Sequence, residues 1–255
     1  MTYPLLRERD TLTFISKNET TWDLHRARLK VLKQKEKDIL YRWITPEIAY
    51  LDLASLTSQN FDKNYNPIKD AKAIILDIRC YPSTHVILNL TNAFVPPHSS
   101  FVKISYADTR YPGMVRIHNP SFSIGKKNYY KGKIVLLVNE WTESYSEYLT
   151  MALQANPRTI TIGNSSSGAD GNITILEFPG KVQTCFSGIG IYYPDMTQTQ
   201  RTGVKIDYIV EPTLESIKNG IDLPLEKALA VIKEEFESPL PLSSINEKNI
   251  PHIIP

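Results

Sequence analysis

Cysteine is nearly absent from this chain, which has only Cys80 and Cys185, and its five histidines (His25, His85, His98, His118, His252) are scattered. Neither type stands in metal-ligand spacing, which argues against a structural zinc site and implies no cofactor. Both cysteines lie in or beside apolar runs, so two buried free thiols are expected ahead of a disulfide. Long hydrophobic runs are missing too: no stretch of about 18 apolar residues occurs, so no membrane span is expected. An excess of charge of one sign is also absent. The chain has 29 basic and 27 acidic residues for a net charge of +2, leaving no footprint for nucleic acid or an anionic membrane. The opening "MTYPLLRERD" is charged where a secretory leader is apolar, which fits a cytoplasmic protein or an excised fragment.

What is present suits one globular domain with an appendage: 255 residues, 42% of them hydrophobic. Residues 11 to 31 read as two β runs about a polar "KNET" turn, followed by the charged linker "KQKEKD". From about Glu47, "EIAYLDLASL", "AKAIILDIR", "GKIVLLVN" and "RTITIGN" are short aliphatic runs alternating with helical periodicity. They predict buried parallel strands and an α/β fold. Residues 101 to 132 read as an inserted hairpin or flap. After Gly163, "ITILEFPGKVQTCFSGIGIYYP" and "GVKIDYIVEPT" predict antiparallel strands. A helix capped by Asp222 with Pro224 in its first turn follows. The end, "SPLPLSSINEKNIPHIIP", reads as extended.

The series "AIILDIRCYPS", "GKIVLLVNEWTESYSEYLTMAL", "TITIGNSSSGADGN", "SGIGIYYPDMTQTQRTGVKIDYIVEPT" and "PLEKALAVI" resembles the tail-specific, or C-terminal-processing, serine protease family, in the form common among Bacteroidetes-type bacteria. The resemblance covers roughly residues 45 to 235. It implies a crotonase-like (Clp protease/crotonase-type) core at 46–236, and makes 1–45 the last hairpin of a PDZ-like module. Residues 237–255 are then a proline-rich extension. It further implies a polypeptide substrate and an extracytoplasmic location, and leaves oligomeric state open.

Within "SYSE" the resemblance places the nucleophile at Ser144, ahead of Glu147. A serine in the first turn of a helix after a buried strand is held rigidly where free amides and the positive helix end favour an oxyanion. Tyr145 offers one such amide, and Ser83, in "CYPST" after the "DIR" strand, offers the second. That loop lacks the family's paired glycines, and a β-branched Thr84 would resist a positive φ. From local sequence alone, a helix cap by Ser144 or Thr142 is the simpler reading.

A serine nucleophile needs a base. The family's lysine falls at Ala169, and the tricorn-like branch's histidine falls at Asp52. Asp170, which can accept a proton if burial raises its pKa, and His85, beside the oxyanion loop, are the candidate substitutes; a tight turn is the simpler role for "ADGN". Gln200 and Arg201 are candidates to hold a substrate carbonyl or carboxylate, or form an exposed polar turn. Gly188 and Gly190 permit close approach by an extended peptide, or mark a bulge. Trp141 and Tyr145 line a specificity pocket or pack in the core. Three functions stay open: a serine endopeptidase, a catalytically impaired homologue that binds peptides, and a crotonase-type acyl-CoA enzyme.

Overall fold

The computed structural model describes residues 39–120 and 124–237, with the backbone of Thr13–Ile15 (β1) and Thr21–Asp23 (β2). These two strands pair antiparallel, as the runs around "KNET" predict. They belong to a small unit that ends at Ile39; a second unit begins at Leu40. The linker "KQKEKD" and the proline-rich end lie outside the described residues.

The second unit opens with Tyr41–Thr45 (β3) and Ile48–Asp52 (β4), an antiparallel pair joined by a tight turn. Phe61–Tyr65 (α1) leads to Ala73–Asp77 (β5), and a one-turn 3-10 helix, Thr84–Val86, leads to Ile87–Phe94 (α2). Lys103–Ala107 (β6) and Val115–His118 (β7) form the expected inserted hairpin. Lys133–Val138 (β8), Tyr145–Gln154 (α3) and Thr159–Gly163 (β9) follow. Ile173–Phe178 (β10), Val182–Ser187 (β11), Ile189–Tyr192 (β12) and Tyr208–Ile209 (β13) come next. Leu214–Asn219 (α4) and Leu223–Glu237 (α5) complete the described chain.

Six strands form one sheet in the order β13-β9-β8-β5-β4-β3, parallel except for β3 at the edge. The strand β3, which the sequence reading grouped with the N-terminal segment, is thus part of this sheet. Continuous apolar runs such as Ala73–Asp77 are buried because the sheet is covered on both faces. Alternate residues divide between the layers: Ile74, Leu76, Ile134 and Leu136 join α2 and α3, whereas Ile75, Val135 and Leu137 meet Ala228, Val231 and Ile232 of α5. Each such side chain contributes about 1.5–3 kcal/mol by leaving water. The first expectation for "GVKIDYIVEPT" is corrected here: β13 runs parallel to β9, because Asp207 caps its start by accepting from the Thr161 amide at 2.7 Å while its own amide donates to the Thr161 carbonyl.

A second sheet, β12-β6-β7, is antiparallel, and β10 and β11 form a hairpin of their own. Asp222 caps α5, its carboxylate accepting from the Leu225 amide at 3.2 Å. The same carboxylate takes two bonds from Arg79, at 2.9 and 2.7 Å, while Arg79 also grips Asp77 at 3.0 and 2.6 Å. This fork ties the loop after β5 to the start of α5. Cys185 departs from expectation: its thiol is exposed on β11, and only Cys80 is partly buried.

Candidate active site

Loops leaving the carboxyl ends of the neighbouring central strands β5 and β8 meet at that end of the parallel sheet, where such folds place their ligand crevice. The loop after β8 is self-bonded. Thr142, fully buried, receives the Asn139 amide at 3.1 Å, and its hydroxyl donates to the Ile78 carbonyl at 3.0 Å. Thr142 is therefore a strut between the two loops and not a helix cap. Ser146 has a similar role, its buried hydroxyl donating to the Cys80 carbonyl at 2.5 Å. Tyr145 adds a third tie, its hydroxyl donating to the Thr84 carbonyl at 2.5 Å. These ties explain the polar residues where a buried helix would otherwise carry aliphatics.

Ser144 occupies the N-cap position of α3 with φ 52° and ψ −110°, a conformation a non-glycine residue adopts at a cost of about 1–3 kcal/mol. Its backbone is held by Glu147, whose Oε2 accepts from the Ser144 amide at 3.1 Å. Both halves of a capping box are present: the Ser144 side chain also faces the Glu147 amide, more loosely than an ordinary cap hydrogen bond, so Ser144 has a capping role as well. Tyr145 is the first helical residue, so its amide is among those that helical geometry leaves without an intrahelical acceptor.

Glu147 is the group that residue-by-residue reading of the sequence missed. It is fully buried, and besides the Ser144 amide it accepts from the Ser166 hydroxyl at 2.6 Å, the Gly168 amide at 2.7 Å and the Ala169 amide at 2.9 Å. One carboxylate thus fixes both the strained Ser144 backbone and the turn that ends in Asp170. The available signal was the serine-to-glutamate spacing of a capping box.

Asp170 is buried, with 3% of its surface exposed. Its Oδ1 accepts from the Gly171 amide at 2.7 Å; its Oδ2 is a buried oxygen with no hydrogen-bond partner. Loss of hydration pushes its pKa up to about 7, with the Glu147 charge adding to the rise and the Gly171 amide opposing it. The main chain of the turn is anchored from the other side: the Asp170 carbonyl accepts from the Ser187 hydroxyl and the Gln200 side-chain amide, both at 3.0 Å. Burial also pushes up the Cys80 thiol and the Tyr148 hydroxyl, the latter further raised by the Asp170 charge.

The remaining sequence candidates fall around this centre. Ser83 precedes the 3-10 turn with φ −60° and ψ 130°, and no residue from Cys80 to Val86 has a positive φ, so Thr84 is accommodated in an ordinary helical turn. His85 is exposed on that turn, and its carbonyl, not its ring, takes the Ser58 hydroxyl at 2.6 Å. The imidazole forms no hydrogen bond with Ser144. Gln200 is saturated by the chain itself: it receives the Ile191 amide and the Gln198 side-chain amide, and donates to the Ile189 and Asp170 carbonyls. Trp141 is 55% exposed, which rules out core packing for it.

Gly188 and Gly190 line a cleft of about 460 Å³ with Tyr106, Val115, Gln200 and Arg201. A Cβ on Gly188 would collide with the Thr174 hydroxyl, and one on Gly190 with the Ser105 hydroxyl. Both glycines are thus required by the chain's own packing. Arg201, at φ 70°, is exposed beside the same cleft and its amide donates to the Gly168 carbonyl at 2.7 Å. Among the described residues no cluster of His, Cys, Asp and Glu is placed to hold a metal ion.

Comparison with known proteins bears on this geometry. The family model described as Peptidase family S41 matches residues 47–210. A carboxy-terminal-processing protease of Bartonella bacilliformis is 27% identical over 202 residues, covering 75% of this chain and 45% of the relative, so the chain spans under half of that protein. In fold, the chain resembles a candidate peptidase of Parabacteroides merdae at a TM-score of 0.64 and 17% identity, covering 79% of this chain and 66% of the other. It also resembles mature CPAF complexed with lactacystin at a TM-score of 0.58 and 14% identity, with 74% and 52% covered.

Proposed function

The chain belongs to peptidase family S41, and from that premise we propose that it is a serine endopeptidase working through an acyl-enzyme on Ser144, with Asp170 as a non-standard general base. Family membership supplies the reaction class, hydrolysis of peptide bonds. Supporting the residue roles is one observation above the others: Glu147 Oε2 binds both the Ser144 amide and the amide of Ala169, next to Asp170, so a single buried carboxylate fixes the nucleophile and the base in mutual register. In the reaction, Ser144 Oγ attacks the scissile carbonyl as its proton passes to Asp170 Oδ2. The developing oxyanion meets the amides of Tyr145 and Ser83. Asp170 then delivers the proton to the departing amine, the C–N bond breaks, and water hydrolyses the ester by the same route reversed. His85 is the alternative base. Arg201, beside the cleft of Gly188 and Gly190, is proposed to pair with a substrate carboxylate. Gln200 serves to hold the Asp170 turn, and Trp141 to offer an exposed apolar wall.

The same reading takes the core as crotonase-like, the N-terminal hairpin as the end of a PDZ-like module, and the location as extracytoplasmic. Cleavage of an unfolded protein substrate, abolished by Ser144→Ala, is the expected result; cleavage undiminished by that substitution would exclude Ser144. A second reading, a peptide-binding homologue without turnover, draws support from Ala169, which stands at the family's lysine position. It requires peptide binding unchanged in Ser144→Ala with no cleavage by either protein.

A further inference from the structure

The hairpin formed by β10 and β11 has no place in the chemistry above, yet it exposes large apolar side chains on both of its strands. Every residue of both strands is exposed. Among the described residues no third strand is hydrogen-bonded to it. Pairing sets Thr174 opposite Phe186, Leu176 opposite Thr184 and Phe178 opposite Val182, so these six residues share one face. Leu176 is 44% exposed, Phe178 51%, Val182 62% and Phe186 50%. A two-stranded hairpin alone is marginal in water, because it has no second layer against which to bury a face. The opposite face also exposes apolar side chains, Ile173 at 61% and Ile175 at 63%, but there Glu177, opposite Gln183, interrupts them; Lys181, in the turn, is the hairpin's other charge.

We infer that this face is a dimerisation surface, and that its occupant is the same face of a second copy of this chain. Three properties favour a second copy over an unlike partner. The face carries no charge with which to select or steer another protein, matching the uncharged centre of a homodimer interface. Its composition is self-complementary: an aromatic ring at each end, Phe178 and Phe186, flanks Leu176, Thr184 and Val182, so a two-fold axis through the middle sets rings against aliphatic side chains. Its area fits as well. Half-exposed, the six side chains offer on the order of 500 Å² per copy, or about 1,000 Å² in total, the threshold of a specific and reversible interface. The β-branched and aromatic side chains would then interdigitate as two layers about 10 Å apart, as in packed sheets. The inference stands apart from the proposed peptidase activity and needs none of it.

Sedimentation velocity of the full chain between about 1 and 200 µM tests it, since mass action makes dimer content rise with concentration. The expected result is a reversible monomer–dimer equilibrium in the micromolar range. Leu176→Asp with Phe186→Asp shifts the midpoint at least tenfold upward, whereas Ile175→Asp, on the opposite face, leaves it in place. A wild-type chain that stays monomeric throughout would overturn the inference, as would a dimer indifferent to the double substitution or equally sensitive to Ile175→Asp. If the double variant does not fold, disulfide trapping decides. Thr184→Cys combined with Cys185→Ser should give a covalent dimer on mild oxidation where Cys185→Ser alone gives none, and equal yields from the two would reject the face.

Discussion

Replacing Asp170 by asparagine should stabilise the protein, and only at the pH values where the aspartate is charged. In the folded state burial raises the carboxyl pKa from 3.8 to about 7. A raised carboxyl pKa means the folded state holds the proton more tightly than the unfolded chain does. The associated stability is complete below pH 3.8 and is lost progressively as pH rises to about 7. At about 1.4 kcal/mol per pH unit, moving from pH 5 to pH 8 costs the native protein about 3 kcal/mol through this one group. Asparagine carries no charge and loses none of it. Its carbonyl can still take the Gly171 amide, and the penalty of an unpartnered polar atom at the Oδ2 position is common to asparagine at both pH values, so it cancels in the comparison. Thermal unfolding at the two pH values is the assay. Relative to wild type, Asp170→Asn should gain roughly 5–10 °C more at pH 8 than at pH 5, given about 2–4 °C per kcal/mol for a domain of this size. A difference in melting temperature that does not change with pH would show that Asp170 is not a desolvated carboxyl.

Other outcomes follow from the same bonds. Glu147→Ala strips the acceptor from the Ser144, Gly168 and Ala169 amides and the Ser166 hydroxyl, and should cost about 3–5 kcal/mol in denaturant unfolding while abolishing reaction of Ser144 with a fluorophosphonate. Thr142→Val removes the strut to the Ile78 carbonyl at nearly constant volume; about 1–3 kcal/mol should be lost, measured by the shift in urea midpoint. Arg79→Met leaves Asp77 and Asp222 without their shared cation and should destabilise by about 2–4 kcal/mol, measured by denaturant unfolding at neutral pH. Gly188→Ala should destabilise through collision with Thr174, and Thr174→Ala in the same chain should restore part of the loss, a coupling that a double-mutant cycle would read directly.

The parallel core was legible because each strand is a short, unbroken aliphatic run: Ala73–Asp77 and Lys133–Val138 could hardly face water on either side. Asp222 as a helix cap was legible for a comparable reason, since proline and an amphipathic repeat follow it. The direction of β13 was not, because a two-residue strand carries no periodicity and its pairing is set by Asp207 reaching across to Thr161. At the site, the motif spacing pointed to Ser144 as the candidate nucleophile and Asp170 was among the candidate bases; the structure finds the first at the N-cap of α3 and the second buried. What sequence could not show is that Gln200 is spent on the Asp170 turn, since a polar glutamine in a polar loop reads the same whether it faces solvent or bonds four chain groups. For Glu147 the capping-box spacing revealed only its bond to Ser144; its other partners lie as far as Ala169 along the chain, and only folding gathers them.

The rate at which a fluorophosphonate phosphonylates Ser144, with loss of fluoride, followed from pH 5 to pH 9 in wild type and Asp170→Asn, bears most directly on the proposed machinery. The account predicts a wild-type rate that climbs with pH to a plateau, with its midpoint near the Asp170 pKa of about 7. In the variant the rate should be about a hundred- to ten-thousandfold lower and should not titrate in that range. Equal rates in the two proteins, or an unchanged titration in the variant, would remove Asp170 from the reaction.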